Sequence, residues 1–164
     1  MTIAVRPAAE ADLPAVRQVL VETWHATYDA VFGADMVTEI TGRWHSLDAL
    51  RGQLNKAGTA FLVAERDGAL VATLYASPGC DGVLMLERLY VLPAMQGHGV
   101  GRALWRAMLD RFAGARSVRL EVHPANGPAI AFYRRLGFVD AGSGTACGGD
   151  QDAAIDHLMM ENAL

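Results

Sequence analysis

Three glycines at alternate positions, Gly97, Gly99 and Gly101, stand between an apolar run that ends at Pro93 and an amphipathic run that opens at Val100. A strand that turns into a helix through such a loop is tightly constrained. Glycine lets successive backbone N–H groups point into one concavity with no Cβ in the way. The helix N-terminus adds its partial positive charge, so loop and helix together make an anion site suited to a phosphate or pyrophosphate. Arg102 can add a charge-assisted contact. A phosphate-binding Walker loop needs Gly-Lys-Ser/Thr, and Gly101 is followed by Arg102-Ala103, so that class is excluded. The dinucleotide fingerprint G-x-G-x-x-G fails as well, because Arg102 stands where its third glycine belongs. A tight turn with no ligand is the bland alternative, and three alternating glycines are more than a turn requires.

The periodicity around this loop sets the fold class. Ile3 to Arg6 predicts a strand, and Glu10 and Asp12 open a helix to about Tyr28, with Leu13, Val16, Val19, Leu20 and Trp24 at helical spacing. Pro14 suits its first turn. A helical region over Ala34 to Lys56 is expected to break near Gly42. Ala60 to Glu65 and Leu70 to Ala76 flank Asp67-Gly68, a hairpin signal. Strands follow over Val83 to Leu92 and Val118 to Val122, and helices over Val100 to Phe112 and Pro128 to Leu136, the latter capped by Gly137. Phe138-Val139 starts a strand, Ala141 to Gly149 reads as a glycine-rich loop, and Ile155 to Met160 is the last strand. The order is β-α-α-β-β-β-α-β-α-β-β. Hairpins mixed with strand–helix–strand units predict an α/β chain with a mixed, mostly antiparallel sheet of about seven strands and about four flanking helices.

Composition bounds what such a chain does. Its 164 residues suit one domain spanning 1–164, and 52% hydrophobic content supports a full core. Eighteen acidic against 14 basic residues give a net charge of −4, which argues against nucleic acid and tolerates a cationic or neutral substrate. No stretch approaches the roughly 20 apolar residues of a membrane span, and Met1 to Pro7 carries no signal-peptide pattern, so a cytoplasmic protein is expected. Two cysteines, Cys80 and Cys147, leave a single bridge open without implying it, and the expected compartment is reducing. His25, His45, His98, His123 and His157 are dispersed without metal-ligand spacing, so no metal is expected.

Two blocks carry a family resemblance. Gln96-x-x-Gly99-x-Gly101 resembles the Q/R-x-x-G-x-G/A signature of the GNAT N-acetyltransferases. Leu120-Glu-Val-His-Pro-Ala-Asn126 followed by Ala129-Ile-Ala-Phe-Tyr133-Arg-Arg-Leu-Gly-Phe138 resembles that family's strand, Asn-containing loop and A-x-x-F-Y-x-x-x-G-F helix. Both blocks stand in the family's order, and the resemblance covers about Ala60 to Val139. It implies acetyl-CoA as co-substrate, bound where Val83–Leu92 and Val118–Val122 splay apart. Backbone groups of Leu89, Tyr90 and Val91 would pair with the pantetheine arm and thioester. The backbone of Gln96, Gly97, His98, Gly99, Val100, Gly101 and Arg102 would hold the pyrophosphate. Asn126 would touch the pantetheine, and Tyr133 would lie near the sulfur.

The chemistry suits these residue types. Amine attack on a thioester needs a neutral amine, a polarised carbonyl and a protonated leaving thiolate. A strand N–H at Val91 polarises the carbonyl, Tyr133 donates as general acid, and a carboxylate takes the ammonium proton. Glu87 and Glu121 are the base candidates, each inside an otherwise apolar strand; the alternative for both is an outward, solvated position. His123 is a further base candidate with a plain loop role as its alternative. Core packing is the alternative for Tyr133. Tyr28 and Asp29 are acceptor-side candidates, because in this family the region between the first two helices borders the acceptor. Asp150, Asp152 and Asp156 could attract a polycation or simply be solvated. The acceptor is expected to be a small-molecule amine, polyamine-like or amino-acid-like. A protein N-terminus, a non-catalytic acyl-CoA-binding module and a nucleotide-binding domain are the other readings. Many members of the family are dimers; a homodimer stays open, since the sequence shows no distinct interface patch.

Overall fold

The computed structural model describes residues 2–142 and 157–164. The elements are β1 (Ile3–Pro7), α1 (Leu13–Phe32), α2 (Ala34–Trp44), α3 (Leu47–Leu54), β2 (Ala60–Arg66), β3 (Ala69–Pro78), β4 (Val83–Val91), α4 (Val100–Arg111), β5 (Ser117–Val122), α5 (Gly127–Leu136), β6 (Val139–Gly142) and β7 (Leu158–Ala163). The strands form one seven-stranded sheet in the order β1-β2-β3-β4-β5-β7-β6. β1 pairs antiparallel with β2, β5 and β6 pair antiparallel with β7, and β4 pairs parallel with β5. The predicted class holds; the element order differs in one place, with three helices between β1 and β2 where the sequence predicts two. Cys147, Asp150, Asp152 and Asp156, and most of the glycine-rich loop, lie outside the described residues.

Two boundaries differ from expectation for local reasons. The helical region 34–56 divides at His45 and Ser46, not at Gly42. Gly42 continues α2, whereas Ser46 is extended and its side chain accepts from the Ala49 N–H, which starts a new helix. The last strand begins at Leu158 and runs on to Ala163. The hairpin signal is realised as written: Asp67 and Gly68 both adopt positive φ, 52° and 78°, as a two-residue turn that matches strand twist requires. Cys80 is disulfide-bonded, an outcome that the count of two cysteines left open.

By contacts, the described chain divides into two compact units. One comprises Met1–Tyr75 with Arg88–Arg111, the other Ala76–Glu87 with Phe112–Leu164. The first unit is built on a cluster of Leu13, Val16, Leu20, Leu50, Phe61, Val63 and Tyr75, against which Ala8, Leu54, Leu70 and Tyr90 pack. Leu20 has 0% of its surface exposed. Leu20→Ala is expected to cost about 3 kcal/mol through lost transfer energy and a residual cavity, read as a lower urea midpoint at unchanged slope. In the same unit Arg6 ties the entry of α1 to the sheet. Its guanidinium donates to Asp12 (2.7 and 2.9 Å) and to Glu65 (2.5 Å), which holds the Asp12 carboxyl below its ordinary value.

The second unit is organised by β5 and β7. Their register pairs Val118 with Asn162, Leu120 with Met160 and Val122 with Leu158 on one face, and Arg119 with Glu161 and Glu121 with Met159 on the other. α5 is tied to the first of these faces, where Asn162 Nδ2 donates to the Leu136 carbonyl at 3.0 Å. Gly137 closes α5 in the left-handed conformation, φ 105°.

Candidate active site

The glycine loop lies in the first unit and has the geometry that the sequence predicts. β4 ends at Val91, a short 3-10 turn spans Pro93–Met95, and the loop then delivers the chain to α4. Gly97 and Gly99 adopt φ of 77° and 81°, and a Cβ at either would meet no protein atom within 4 Å. The glycines are therefore demanded by backbone conformation, and the space beside them is open. Gly101 has no positive φ and already belongs to α4. The Ala103 N–H is satisfied by the Gly99 carbonyl at 3.0 Å. The N–H groups before it, at the first turn of a 12-residue helix, have no intrahelical acceptor. Gln96 Nε2 donates to the Val91 carbonyl at 3.1 Å, so the signature glutamine fastens the loop to the end of β4. His98 Nδ1 lies 2.9 Å from the Gln96 carbonyl and braces the loop from outside. Arg102 is exposed.

Leu89, Tyr90 and Val91 form the end of β4. The Tyr90 side chain packs on the core cluster, and burial pushes its phenol up. Tyr28 is buried in an aromatic row, with ring centroids 4.6 Å from Trp24 and 5.7 Å from Phe32. Asp29 is half-buried and accepts from His25 Nδ1 at 2.6 Å.

In the second unit, Tyr133 is buried between Phe132 and Phe138, with centroids 5.4 and 5.5 Å away. The ring is thus locked by packing while its hydroxyl remains a donor. Asn126 caps α5 by accepting from the Ala129 N–H at 3.3 Å. The two base candidates separate. Glu87 is exposed and accepts from Ser77 Oγ at 3.0 Å, the solvated alternative of the sequence reading. The Glu121 side chain is 26% exposed and, by register, lies on the face of β5 and β7 opposite Asn162, which donates to the last carbonyl of α5. His123 Nδ1 accepts from the Ala125 N–H at 3.0 Å.

Sequence reasoning missed three residues. Glu87 and Arg88 are adjacent in one strand and must point to opposite faces. Arg88 is the buried one, its guanidinium 4.8 Å from the Phe61 ring and 5.2 Å from Tyr75, with Nη1 donating to Gln53 Oε1 at 2.6 Å. His45 is buried beside it. Desolvation, then the Arg88 charge, lower the imidazole from 6.5 to about 3. A histidine held neutral in the fold but protonated in the unfolded chain makes stability fall with pH between those two values. We expect a loss of about 2 kcal/mol from pH 7 to pH 5 that His45→Asn removes, measured by urea unfolding at the two pH values. The third is His157, treated as one of five scattered histidines. Its Nδ1 lies 3.8 Å from Glu121 Oε2, brought there by the β5–β7 register.

Among the described residues no group of three or more His, Cys, Asp or Glu side chains could hold a metal ion, and no helix is long and apolar enough to cross a membrane. An open depression of about 230 Å³ in the first unit, lined by residues that include Leu54, Lys56, Thr59, Phe61 and Arg111, contains none of the predicted site residues.

Comparison with known proteins bears on this geometry. Residues 16–138 match the family model described as acetyltransferase (GNAT) family. Phosphinothricin N-acetyltransferase of Alcaligenes faecalis is 29% identical over 170 residues, spanning 98% of this chain and 82% of that protein. N-alpha-acetyltransferase RimI of Mycobacterium tuberculosis is 50% identical over a shorter stretch of 50 residues, 30% of this chain and 31% of that protein. The crystal structure of PaiA N-acetyltransferase from Thermoplasma acidophilum in complex with coenzyme A superposes with a TM-score of 0.86, at 22% identity and 100% coverage of both chains.

Proposed function

Since the chain belongs to the acetyltransferase (GNAT) family, we propose that it transfers the acetyl group of acetyl-CoA to a primary amine by direct attack in a ternary complex. The observation that carries this reading is the loop: two left-handed glycines with open space beside them lead into an unsatisfied helix N-terminus, the chemistry of a pyrophosphate cradle. In this reading the backbone of Gln96–Arg102 holds the pyrophosphate. The backbone of Leu89, Tyr90 and Val91 pairs with the pantetheine arm and polarises the thioester carbonyl, and Asn126 contacts the arm. The amine nitrogen attacks the carbonyl carbon, the C–N bond forms and the C–S bond breaks. Tyr133 gives its phenolic proton to the leaving thiolate, and Glu121 takes the proton from the ammonium directly or through one water. Glu121 is preferred to Glu87 because it is half-buried, while Glu87 is solvated.

For the acceptor we favour a small amine of polyamine or amino-acid type. Support comes from the relative that matches over nearly the whole chain, whose name gives a small-molecule acceptor. The short, more identical match to an N-alpha-acetyltransferase keeps a protein N-terminus as the second reading. The test mixes the chain with acetyl-CoA and a panel of phosphinothricin, spermidine, free amino acids and an alanine-initiated peptide, and follows release of the CoA thiol. Release with the small amines is expected. Tight binding of acetyl-CoA with no release across the panel would replace the enzyme by a binding module. Release with the peptide alone would move the acceptor to proteins.

A further inference from the structure

We propose that the side chains of Arg102 and Arg106 form a phosphomonoester site on α4, beside the pyrophosphate loop, that takes the 3′-phosphate of acetyl-CoA; this deepens the loop reading above and rests on it. Both arginines are exposed. They stand in the first two turns of α4, four positions apart, and so share one face of the helix about 6 Å apart along its axis. Both placements work against the fold. A cation in the first turn is repelled by the positive end of the helix dipole, and the first turn of α4 holds no acid to offset it. Like charges at this spacing also repel each other. The remaining arginine of α4 shows the contrast: Arg111 stands in the last turn, where a cation is favoured.

Nothing in the described chain offsets these costs. Among the described residues, no ion pair or side-chain hydrogen bond engages either guanidinium. Asp110, four positions beyond Arg106, is exposed and forms no ion pair with it, and Arg before Asp is the weaker order for such a pair on a helix. Local rules broken without a compensating contact point to a functional site. A bound anion offsets both costs at once, since it stands between the two guanidinium groups and neutralises charge at the helix start. The helix also sets the direction. Side chains lean toward the helix N-terminus, so Arg106 reaches back over the turn that holds Arg102, toward the loop. A coenzyme whose pyrophosphate sits on the N–H groups of Gln96–Arg102 brings a further anion with it, the phosphomonoester on the ribose 3′-oxygen. That group carries close to two negative charges at neutral pH and three acceptor oxygens, which suits two guanidinium forks. It takes no part in bond-making at the thioester, so the contact acts on binding and on discrimination between coenzymes.

The test measures, by calorimetry at low salt, the binding of acetyl-CoA and of acetyl-dephospho-CoA, which lacks the 3′-phosphate. The parent chain is expected to bind acetyl-CoA roughly tenfold more tightly, the effect of a charge-assisted contact at an exposed site. Arg106→Gln should shrink that ratio, and Arg102→Gln combined with Arg106→Gln should bring it to about one. Arg106→Lys should keep most of the preference, because a point charge still pairs with a phosphate. A part in helix stability alone would not follow the phosphate of the ligand. Equal weakening of both ligands in Arg106→Gln would overturn the proposal and leave Arg106 as one charge in the general field of the loop. A parent chain that binds the two ligands equally would overturn it too, with the pyrophosphate reading left standing. A parent chain that binds neither would overturn the pyrophosphate reading itself, and this site with it.

Discussion

Tyr133→Phe is expected to fold as the parent does, to bind acetyl-CoA as tightly, and to lose roughly a hundredfold in kcat, within the range of a single general acid. The packing makes this substitution clean. The Tyr133 ring is held between Phe132 and Phe138 at 5.4 and 5.5 Å, and phenylalanine keeps that ring in place. What is removed is one hydroxyl, and with it the proton for the thiolate. A hundredfold loss corresponds to about 2.7 kcal/mol of transition-state stabilisation. Because the loss belongs to the leaving-group step, it should appear in kcat and not in the KM for acetyl-CoA. Rapid-mixing assays of CoA release, with binding measured by calorimetry, separate the two. Turnover within twofold of the parent would return Tyr133 to the core-packing role that its buried ring equally allows.

The contrast between Tyr133 and Glu121 shows what was legible in the sequence. The loop, the hairpin at Asp67-Gly68, the cap at Gly137 and the element order rest on local chemistry: positive φ, turn residues and periodicity within ten or so positions. Each is a short-range constraint, and each is realised except that the order contains one more helix between β1 and β2 than expected. The break between α2 and α3 was misplaced because a mid-helix glycine is tolerated at a cost of about 1 kcal/mol, while a serine N-cap actively starts a new helix. The pairing of Glu121 with His157 was not legible. It depends on which residues of β5 and β7 stand opposite one another, and register is fixed by long-range packing. Arg88 is intermediate. Adjacent charges at Glu87 and Arg88 in a strand oblige them to opposite faces, so the sequence contained the question of which one is buried. The answer, a guanidinium over Phe61 and Tyr75, needed the fold.

Gly99→Val is expected to abolish the stabilisation that acetyl-CoA confers, whereas Gly101→Ala should preserve it. Gly99 sits at φ 81°, a region that a β-branched residue enters only with strain of about 1–3 kcal/mol. Nothing in the protein crowds a Cβ there, so the strain must be relieved by the backbone itself, which turns the loop N–H groups away from their common focus. Gly101 lies inside α4 without positive φ, and alanine is the better helix former there by about 1 kcal/mol. The family signature admits either residue at that position. A site that binds the folded chain alone raises stability by about 2.7 kcal/mol at a hundred times Kd, so thermal unfolding with and without acetyl-CoA reads the difference directly. The parent and Gly101→Ala should shift together, and Gly99→Val should not shift at all. ATP and NAD serve as controls, because a shift with either of them in place of acetyl-CoA would reassign the loop to a nucleotide. A shift with acetyl-CoA that survives Gly99→Val would mean that the anion is held somewhere other than the turn into α4, and the pyrophosphate assignment of Gln96–Arg102 would fall.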